Sequence, residues 1–262
     1  MSAARRLAKR AFRAQDRKFL AEGPQAVREA LQQPGGVLEL FVTTDAAARH
    51  ADLVAGADAL GVPVHRVSGQ VMELLAQTVT PQGVLAVCPL LDVALDRALA
   101  PGPSLVAVLA HVRDPGNAGT VIRVADAAGA GAVVLSDASV DVYNAKCVRA
   151  SVGSLFHLPV VAGVPLATAL DTMRGAGLRV VAADGAGRGL DTAADDGSLA
   201  APTAWVFGNE AWGLPEQTLA QCDDVLAVPI YGRAESLNLA TAAAVCLYAS
   251  AAAQRAGGSR GR

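Results

Sequence analysis

Cysteine, histidine and aromatic residues are scarce in this chain of 262 residues. Its four cysteines lie far apart without a Cys-x-x-Cys pair, and its four histidines show no metal-ligand spacing. We therefore predict neither a disulfide framework nor a metal site, and the cysteine usage fits a reducing, cytoplasmic compartment. The opening lacks the apolar segment of a secretory signal. Aromatic residues make up only 4% of the chain, so small side chains are expected to fill much of the core.

The chain also has no large excess of positive or negative charge. The formal net charge is −2, which argues against attraction of the whole molecule to nucleic acid. Basic residues collect instead in an opening segment, 1–18, and in a predicted flexible tail, 256–262. The opening segment can be a solvated helix face or a frayed arm, or its basic residues can bind an anionic partner. A transit peptide is less favoured, because the segment continues directly into a sequence typical of folded structure.

The rest of the chain alternates the periodicities of strands and helices, which is typical of α/β proteins. Residues 19–95 form one predicted α/β domain, 96–103 a linker, and 104–255 a second α/β domain. In the second domain a strand, a turn at 113–119, a helix at 120–131 and another strand follow closely, which predicts a crossover between parallel strands. The predicted strands are 37–43, 62–67, 82–88, 104–112, 132–137, 178–184, 203–208 and 224–230.

A run of nineteen uncharged residues lies between Glu235 and Arg255. Eight of them are alanine, and Ser236, Asn238 and Thr241 are polar, so a buried helix is favoured over a membrane span. We place Ser236 and Asn238 in the first turn of this helix, where free N–H groups can bind an anion. One helical face is formed mostly by small side chains that permit close approach of another helix: Leu239, Ala242, Ala243, Cys246 and Ala253.

Polar residues are concentrated in three clusters on this apolar frame. The first is RDPGNAGTVIR (113–123), the second is GNEAWGLPE (208–216) and the third is YGRAESLN (231–238); each follows a predicted strand. Because ligand sites of parallel sheets lie at the carboxyl ends of the strands, we expect the three clusters to share one site. Each cluster alone is also compatible with an ordinary turn, in which Asp114 or Asn117 would cap a helix.

At these clusters the chain closely resembles the SpoU/TrmH family of RNA ribose 2′-O-methyltransferases, which belongs to the SPOUT superfamily. The family's Asn-x-Gly-x-x-x-Arg motif is matched by Asn117, Gly119 and Arg123. Its second motif is matched by FGNEAWGLP, its third by VPIYGRAESLNLATAAAVCLY, and a further recurrent stretch by YNAKCVRASVGSLFHLPV. The match to the catalytic domain spans roughly 104–254, and the residues before it resemble the RNA-binding domain of longer members.

The resemblance implies two domains, a homodimer and a set of site residues. The expected fold is α/β, with a small amino-terminal RNA-binding domain similar to some ribosomal proteins and a parallel-sheet SPOUT domain with a deep trefoil knot. S-adenosylmethionine is the implied cofactor, with no metal and no membrane. The implied catalytic residues are Asn117, Arg123, Glu210, Ser236 and Asn238. The implied cofactor-binding residues are Phe207, Gly208, Asn209, Val228, Pro229, Ile230, Ser236, Leu237 and Asn238. The implied RNA-binding residues are Arg17, Lys18, Lys146 and Arg149.

The expected reaction moves a methyl group from S-adenosylmethionine to a ribose 2′-hydroxyl, with 23S-type ribosomal RNA as the favoured substrate. By resemblance, Arg123 acts on the cofactor held by the partner subunit. A guanidinium is a poor base, so we expect it to grip the phosphate beside the target ribose and to stabilise the developing alkoxide. Loss of its proton in an unusual environment is the other interpretation.

Three alternatives to this function are kept open. The substrate can be transfer RNA, or the chain can be a non-catalytic RNA-binding protein on the same scaffold. The third alternative is an ordinary Rossmann-type methyltransferase, in which HVRDPGNAG (111–119) forms the glycine loop and Asp137 binds the ribose. That hypothesis leaves the second and third clusters without a role.

Overall fold

The computed structural model of the chain describes residues 2–258, so the end of the predicted flexible tail lies outside the described residues. The strands are β1 (Lys18–Glu22), β2 (Glu39–Thr43), β3 (Val64–Val67), β4 (Val84–Pro89), β5 (Leu105–Leu109), β6 (Ala132–Ser136), β7 (Val160–Val164), β8 (Arg179–Gly189), β9 (Thr203–Phe207) and β10 (Asp224–Ala227). The α-helices are α1 (Ser2–Arg6), α2 (Arg10–Asp16), α3 (Pro24–Gln32), α4 (Thr44–Arg49), α5 (Ala51–Ala59), α6 (Gly69–Leu75), α7 (Leu95–Leu99), α8 (Pro115–Ala128), α9 (Ala145–Ser151), α10 (Leu166–Gly175), α11 (Leu190–Asp195), α12 (Glu216–Leu219) and α13 (Leu239–Gly258). Short 3-10 helices cover Ser154–Phe156 and Ser198–Ala200.

The chain packs as two compact units. The first unit contains the residues up to Leu91 together with Asp141–His157, and the second contains Asp92–Val140 and the residues from Leu158 onward. The stretch predicted as a linker therefore belongs to the second unit, where it carries α7. Asp141–His157 falls within the predicted second domain but packs with the first unit.

Contacts distant in sequence hold Asp141–His157 in the first unit. The ring of Tyr143 lies 4.8 Å from the ring of Phe19. The carboxylate of Asp141 accepts a hydrogen bond of 3.0 Å from Nε of Arg13, whose side chain is buried. Arg13 and Asp141 are 128 positions apart in the sequence. Local periodicity carries no signal for such a pairing.

The first unit is built on a four-stranded sheet in the order β1-β4-β2-β3. β4 runs antiparallel to β1 and β2, and β2 runs parallel to β3. Leu20, Phe41 and Leu85 from three of these strands pack with Met72 of α6 in one core. β1 was not among the predicted strands.

The basic opening segment is folded onto this core. Ala4 and Leu7 are buried in it. Two of the basic side chains are also engaged within the unit, since Arg13 binds Asp141 and Arg6 pairs with Asp16 at 3.0 Å. The hypothesis of a frayed arm is therefore wrong for the described residues: apolar side chains anchor the segment and leave the remaining basic residues on its outer face.

The second unit contains a six-stranded parallel sheet in the order β10-β8-β9-β5-β6-β7. The predicted parallel α/β class is confirmed. β5, β6 and β9 are buried at every position, as expected for strands with helices on both faces. β7 was not predicted, and β8 extends beyond the predicted end at 184 to Gly189.

Alternation along β9 shows how the two faces of the sheet are covered. Ala204 and Val206 point into a core that includes residues of α7 and α10. Trp205, between them, points to the other face, where its indole N–H donates to Ser250 of α13 at 2.9 Å. α13 packs there against α8 and the strands β5 and β9. The sheet is thus the middle of three layers.

The helices α8 and α13 do not begin at the predicted residues, and both differences affect the candidate site. α8 begins at Pro115 and not at Thr120, because Asp114 caps it and proline is favoured at the first helical position. The predicted turn 113–119 is therefore largely the first turn of α8. α13 begins at Leu239, so Ser236 and Asn238 precede the helix instead of lying in its first turn.

Two of the small residues of α13 are buried within the chain. Ala243 and Cys246 are fully buried, and α13 packs against α8, so the close helix–helix approach expected from the sequence occurs inside the second unit. These buried positions cannot also contact a second subunit. No helix in residues 2–258 is long and apolar enough to cross a membrane.

Candidate functional site

A cavity of about 470 Å³ lies at the carboxyl ends of β9 and β10 and beside the middle of β8. All three polar clusters contribute to its lining, as predicted from their positions after the strands. Its volume falls within the roughly 300–1,000 Å³ typical of small-molecule sites. The predicted site residues that line it are Asn117, Phe207, Gly208, Asn209, Glu210, Val228, Ile230, Ser236, Leu237 and Asn238.

Glu210 joins the second cluster to the first. One carboxylate oxygen, Oε1, accepts hydrogen bonds of 3.2 Å from the backbone N–H of Asp114 and from Nδ2 of Asn117. The other oxygen accepts from the backbone N–H of Arg113 at 3.3 Å. An anionic acceptor beside the start of α8 is also favoured by the helix dipole. The carboxylate therefore fixes where α8 begins relative to the turn after β9.

Asn238 joins the third cluster to the first. Its Nδ2 donates to Oδ1 of Asn117 at 3.0 Å. Its Oδ1 accepts from the backbone N–H of Ala240 at 2.9 Å and of Thr241 at 3.3 Å, which caps α13. Asn117 is thus held by Glu210 on one side and Asn238 on the other.

Asn209 shapes the turn after β9. Its buried side chain donates from Nδ2 to the carbonyl of His111 at 2.7 Å and accepts from the N–H of Ala211 at 2.9 Å. Its backbone exchanges two hydrogen bonds with Gly213, at 3.0 and 2.9 Å. The turn 209–213 is closed on itself, so its side chains are presented in fixed positions.

Gly208 is required by the protein backbone. A Cβ added there would lie 2.5 Å from the carbonyl carbon of Gly213, a distance that real Cβ atoms do not adopt. The absence of a side chain at Gly208 lets the turn 209–213 fold back against the end of β9.

The chemistry of the lining fits S-adenosylmethionine. Apolar side chains such as Phe207, Leu226 and Val228 suit an adenine ring and a thioether. Asp184, Glu210 and others supply carboxylates, and no lysine or arginine occurs among the described residues that line the cavity. An acidic, partly apolar cavity suits a ligand that carries a sulfonium and an ammonium group.

Arg123 and Pro229 do not belong to the lining. Arg123 lies exposed on α8, and its guanidinium makes no hydrogen bond or ion pair with any described residue. Asp137, the ribose-binding acid of the Rossmann hypothesis, is also outside the lining and lies 3.4 Å from Nε2 of His111. That hypothesis is wrong, because the second and third clusters form the cavity and Asp137 does not.

Sequence reasoning missed one side of the cavity, formed by the middle of β8. Ala183, Asp184 and Gly185 line it, and Oδ1 of Asp184 accepts from the N–H of Ala186 at 3.0 Å. The signal was present, since an Asp-Gly pair, Asp184 and Gly185, stands at the end of the predicted strand 178–184.

The predicted RNA-binding residues all lie in the first unit, and none of them lines the cavity. Arg17 and Lys146 are exposed, and Lys18 is half-buried. Arg149 donates from its guanidinium to the carboxylate of Glu22 at 3.0 Å, and the Glu22 side chain is only 5% exposed. Arg149 therefore balances a buried charge in addition to any contact it makes with RNA.

Two family models match the chain in succession. Residues 20–93 match the model for RNA 2′-O ribose methyltransferase substrate binding. Residues 104–248, which contain all three clusters, match the model of the SpoU rRNA Methylase family.

Named relatives and solved structures agree with these matches. The chain is 38% identical over 232 residues to the 23S rRNA (guanosine(2553)-2′-O)-methyltransferase RlmP of Bacillus subtilis, covering 88% of this chain and 87% of that protein. The AdoMet-bound rRNA methyltransferase of Sinorhizobium meliloti is 31% identical with a TM-score of 0.82, covering 95% of this chain and 92% of that one. The SpoU methyltransferase AviRb of Streptomyces viridochromogenes, in complex with AdoMet, is 29% identical with a TM-score of 0.83 over 98% of both chains. The chain therefore belongs to the SpoU family.

Proposed function

We propose that this chain transfers a methyl group from S-adenosylmethionine to a ribose 2′-hydroxyl of ribosomal RNA. The observation that carries the proposal is the meeting of all three family clusters at one cavity, where Asn117 is hydrogen-bonded to both Glu210 and Asn238. The family membership and the 23S rRNA named for relatives such as the Bacillus subtilis protein support the choice of substrate.

The cavity is the proposed cofactor site. When bound there, S-adenosylmethionine supplies an activated methyl group. The chain must then place the ribose for in-line attack and assist departure of the hydroxyl proton. Asn117 and Glu210 are the proposed orienting residues. Ser236 and Asn238 contact the target or the cofactor, and the cofactor also contacts the lining residues Phe207, Gly208, Asn209, Val228, Ile230 and Leu237.

Arg123 is proposed to bind the phosphate beside the target ribose. Its guanidinium is exposed and unpaired within residues 2–258, so it is available to an anion. It donates up to five hydrogen bonds and can stabilise both the phosphate and the developing alkoxide. Removal of a proton by a neutral arginine is the less favoured role.

A second copy of the chain completes the proposed site. Arg123 lies outside the lining of the cavity in its own chain, which supports its action on the cofactor held by the partner subunit. The proposed assembly is a homodimer, and the trefoil knot implied by the family resemblance stays a prediction.

The first unit is the proposed RNA-binding part, with contacts from Arg17, Lys18, Lys146 and Arg149. The match of residues 20–93 to a substrate-binding model supports this assignment. A cytoplasmic location is proposed as well, because none of the cysteines, all of which lie within residues 2–258, forms a disulfide. Burial raises the pKa of the Cys246 thiol to about 12, so this thiol is not a nucleophile for the reaction.

The reaction is tested by methyl transfer from radiolabelled S-adenosylmethionine to unmodified ribosomal RNA and transfer RNA, followed by nuclease mapping. Label in a 2′-O-methylated nucleotide of ribosomal RNA is the expected result. Label in transfer RNA alone would show that transfer RNA, and not ribosomal RNA, is the substrate. If the chain binds the cofactor but labels neither RNA, the same assay is repeated with assembled ribosomal particles. If it neither binds the cofactor nor labels an RNA, the non-catalytic alternative is supported.

The role of Arg123 predicts a separation between catalysis and cofactor binding. Arg123→Ala should abolish methyl transfer and leave the calorimetric Kd for S-adenosylmethionine nearly unchanged. Arg97→Ala is the matched control, because Arg97 is an exposed arginine of α7 outside the lining of the cavity. Loss of cofactor binding in Arg123→Ala, or full activity, would refute the role.

A further inference from the structure

An exposed tryptophan stands beside the cavity. Trp212 is 51% exposed, whereas the chain's other tryptophan, Trp205, is fully buried. Among the described residues the indole N–H of Trp212 finds no hydrogen-bond acceptor, while that of Trp205 donates to Ser250. A large ring that the fold neither buries nor satisfies is available for a contact outside the chain.

Two features restrain the ring. The guanidinium of Arg113 lies over it, 4.9 Å from its centroid, within the range of a cation–π interaction. Trp212 also belongs to the closed turn 209–213, in which Asn209 and Gly213 exchange two backbone hydrogen bonds. We call the indole of Trp212 with Arg113 on one face the Trp212 platform. A preorganised surface of this kind loses little conformational entropy when a ligand packs on it.

The platform lies next to the proposed site of methyl transfer. Asn209, Glu210 and Gly213, on either side of Trp212 in the turn, all line the cavity. The backbone N–H of Arg113 donates to Glu210, so both members of the platform are joined to the residue that connects the first two clusters. If a ribose reaches a methyl donor in this cavity, the nucleotides next to it in the strand pass close to the turn 209–213 that carries Trp212.

We infer that the Trp212 platform stacks an unpaired base of the RNA substrate, close to the target nucleotide. This inference rests on the proposed function and names how the substrate is held. Unstacked bases of single-stranded RNA pack on aromatic rings and on arginine planes, and every base offers a face for such stacking. Arg113 adds a positive charge beside the ring, which favours a phosphate-bearing partner over an uncharged one.

The inference is tested with the full chain and an unmodified ribosomal RNA transcript. Tryptophan emission is followed during titration, and Kd for the transcript is measured for wild type, Trp212→Ala and Trp212→Phe. We expect RNA to change the emission of the wild type but not of Trp212→Phe, which keeps a stacking ring without the fluorophore. Trp212→Ala should weaken RNA binding by about 5- to 100-fold, with Trp212→Phe in between. Arg97→Ala, at an exposed position of the second unit outside the lining of the cavity, is the control and should bind like the wild type.

Two further measurements distinguish base stacking from a role of Trp212 in cofactor binding or in a protein interface. Calorimetry should give the same Kd for S-adenosylmethionine in Trp212→Ala and wild type, and sedimentation should give the same oligomeric state. A changed oligomeric state would overturn the inference and assign the ring to a protein interface. Wild-type RNA affinity in Trp212→Ala, or RNA binding without a change in Trp212 emission, would also overturn it. Because the titration needs no turnover, RNA contact at Trp212 without methyl transfer would support the platform and refute the proposed reaction alone.

Discussion

At the scale of single residues, the candidate site depends on Glu210. Its carboxylate accepts three hydrogen bonds, from two backbone N–H groups at the start of α8 and from Asn117. The sequence predicted Glu210 as a site residue from its place after a buried strand. It did not predict which groups the carboxylate binds, because those partners lie more than ninety positions away.

Glu210→Gln is therefore expected to reduce methyl transfer strongly. The glutamine amide has the same size as the Glu210 carboxylate but carries no charge. Its NH₂ group would point at hydrogen-bond donors that the second carboxylate oxygen now accepts from. We expect kcat to fall by at least about tenfold, since a hydrogen bond to a charged group contributes roughly 1.5–3 kcal/mol. Glu216→Gln, at an exposed position of α12, is the control. Equal kcat values in the two variants would show that Glu210 does not organise the site.

At the scale of secondary structure elements, β10 is the edge strand that leads into the third cluster. Asp224, its first residue, is 18% exposed and pairs with Arg188 at 2.8 Å and with Arg179 at 3.2 Å. The hydrogen bond from Arg188 holds the pKa of Asp224 below its ordinary value of 3.8. These pairs anchor β10 to β8, the strand that also lines the cavity.

This pairing predicts an acid-sensitive contribution to stability. Because the pKa of Asp224 is lower in the folded state than in the unfolded state, its contribution is fully present above about pH 4 and is lost as pH falls through the folded pKa. Asp224→Asn should lower the denaturation midpoint at neutral pH, and its difference from wild type should shrink below about pH 4. Asp195→Asn, an exposed position of α11, should match wild type throughout. A difference for Asp224→Asn that does not depend on pH would contradict a stabilising ion pair.

At the scale of the whole molecule, the net charge is −2, but basic residues are concentrated in the opening segment of the first unit. Removal of residues 1–18 is not a clean test of that surface, because Ala4 and Leu7 are part of the core. Arg5, Lys9 and Arg10 are exposed, and their side chains make no hydrogen bond with other described residues. All three can be neutralised without unpairing a carboxylate.

The combined change of Arg5, Lys9 and Arg10 to Gln should weaken the salt dependence of RNA binding. If each contacts a phosphate, the slope of log K against log salt should fall in magnitude by about 2 to 3. Kd for an unmodified ribosomal RNA transcript is measured over a range of salt concentrations. Arg97→Gln, in the second unit, should leave the slope unchanged. A slope equal to that of wild type in the triple variant would exclude the opening segment from the RNA interface.

The sequence by itself determined the α/β class, most strands, the three clusters and the family. These features are local: strand periodicity, helix caps and motif spacing are carried by residues close together in the chain. Asn117, Glu210 and Asn238 could be named for this reason before their contacts were known.

Only the tertiary structure decided which groups meet. It placed Asp141–His157 with the first unit, buried the small face of α13 against α8, added β8 to the cavity and gave Gly208 a role in backbone packing. Each of these depends on contacts between residues far apart in sequence. Such contacts form because burial and hydrogen bonding of the complete chain outweigh local preference, and no window of the sequence contains both partners.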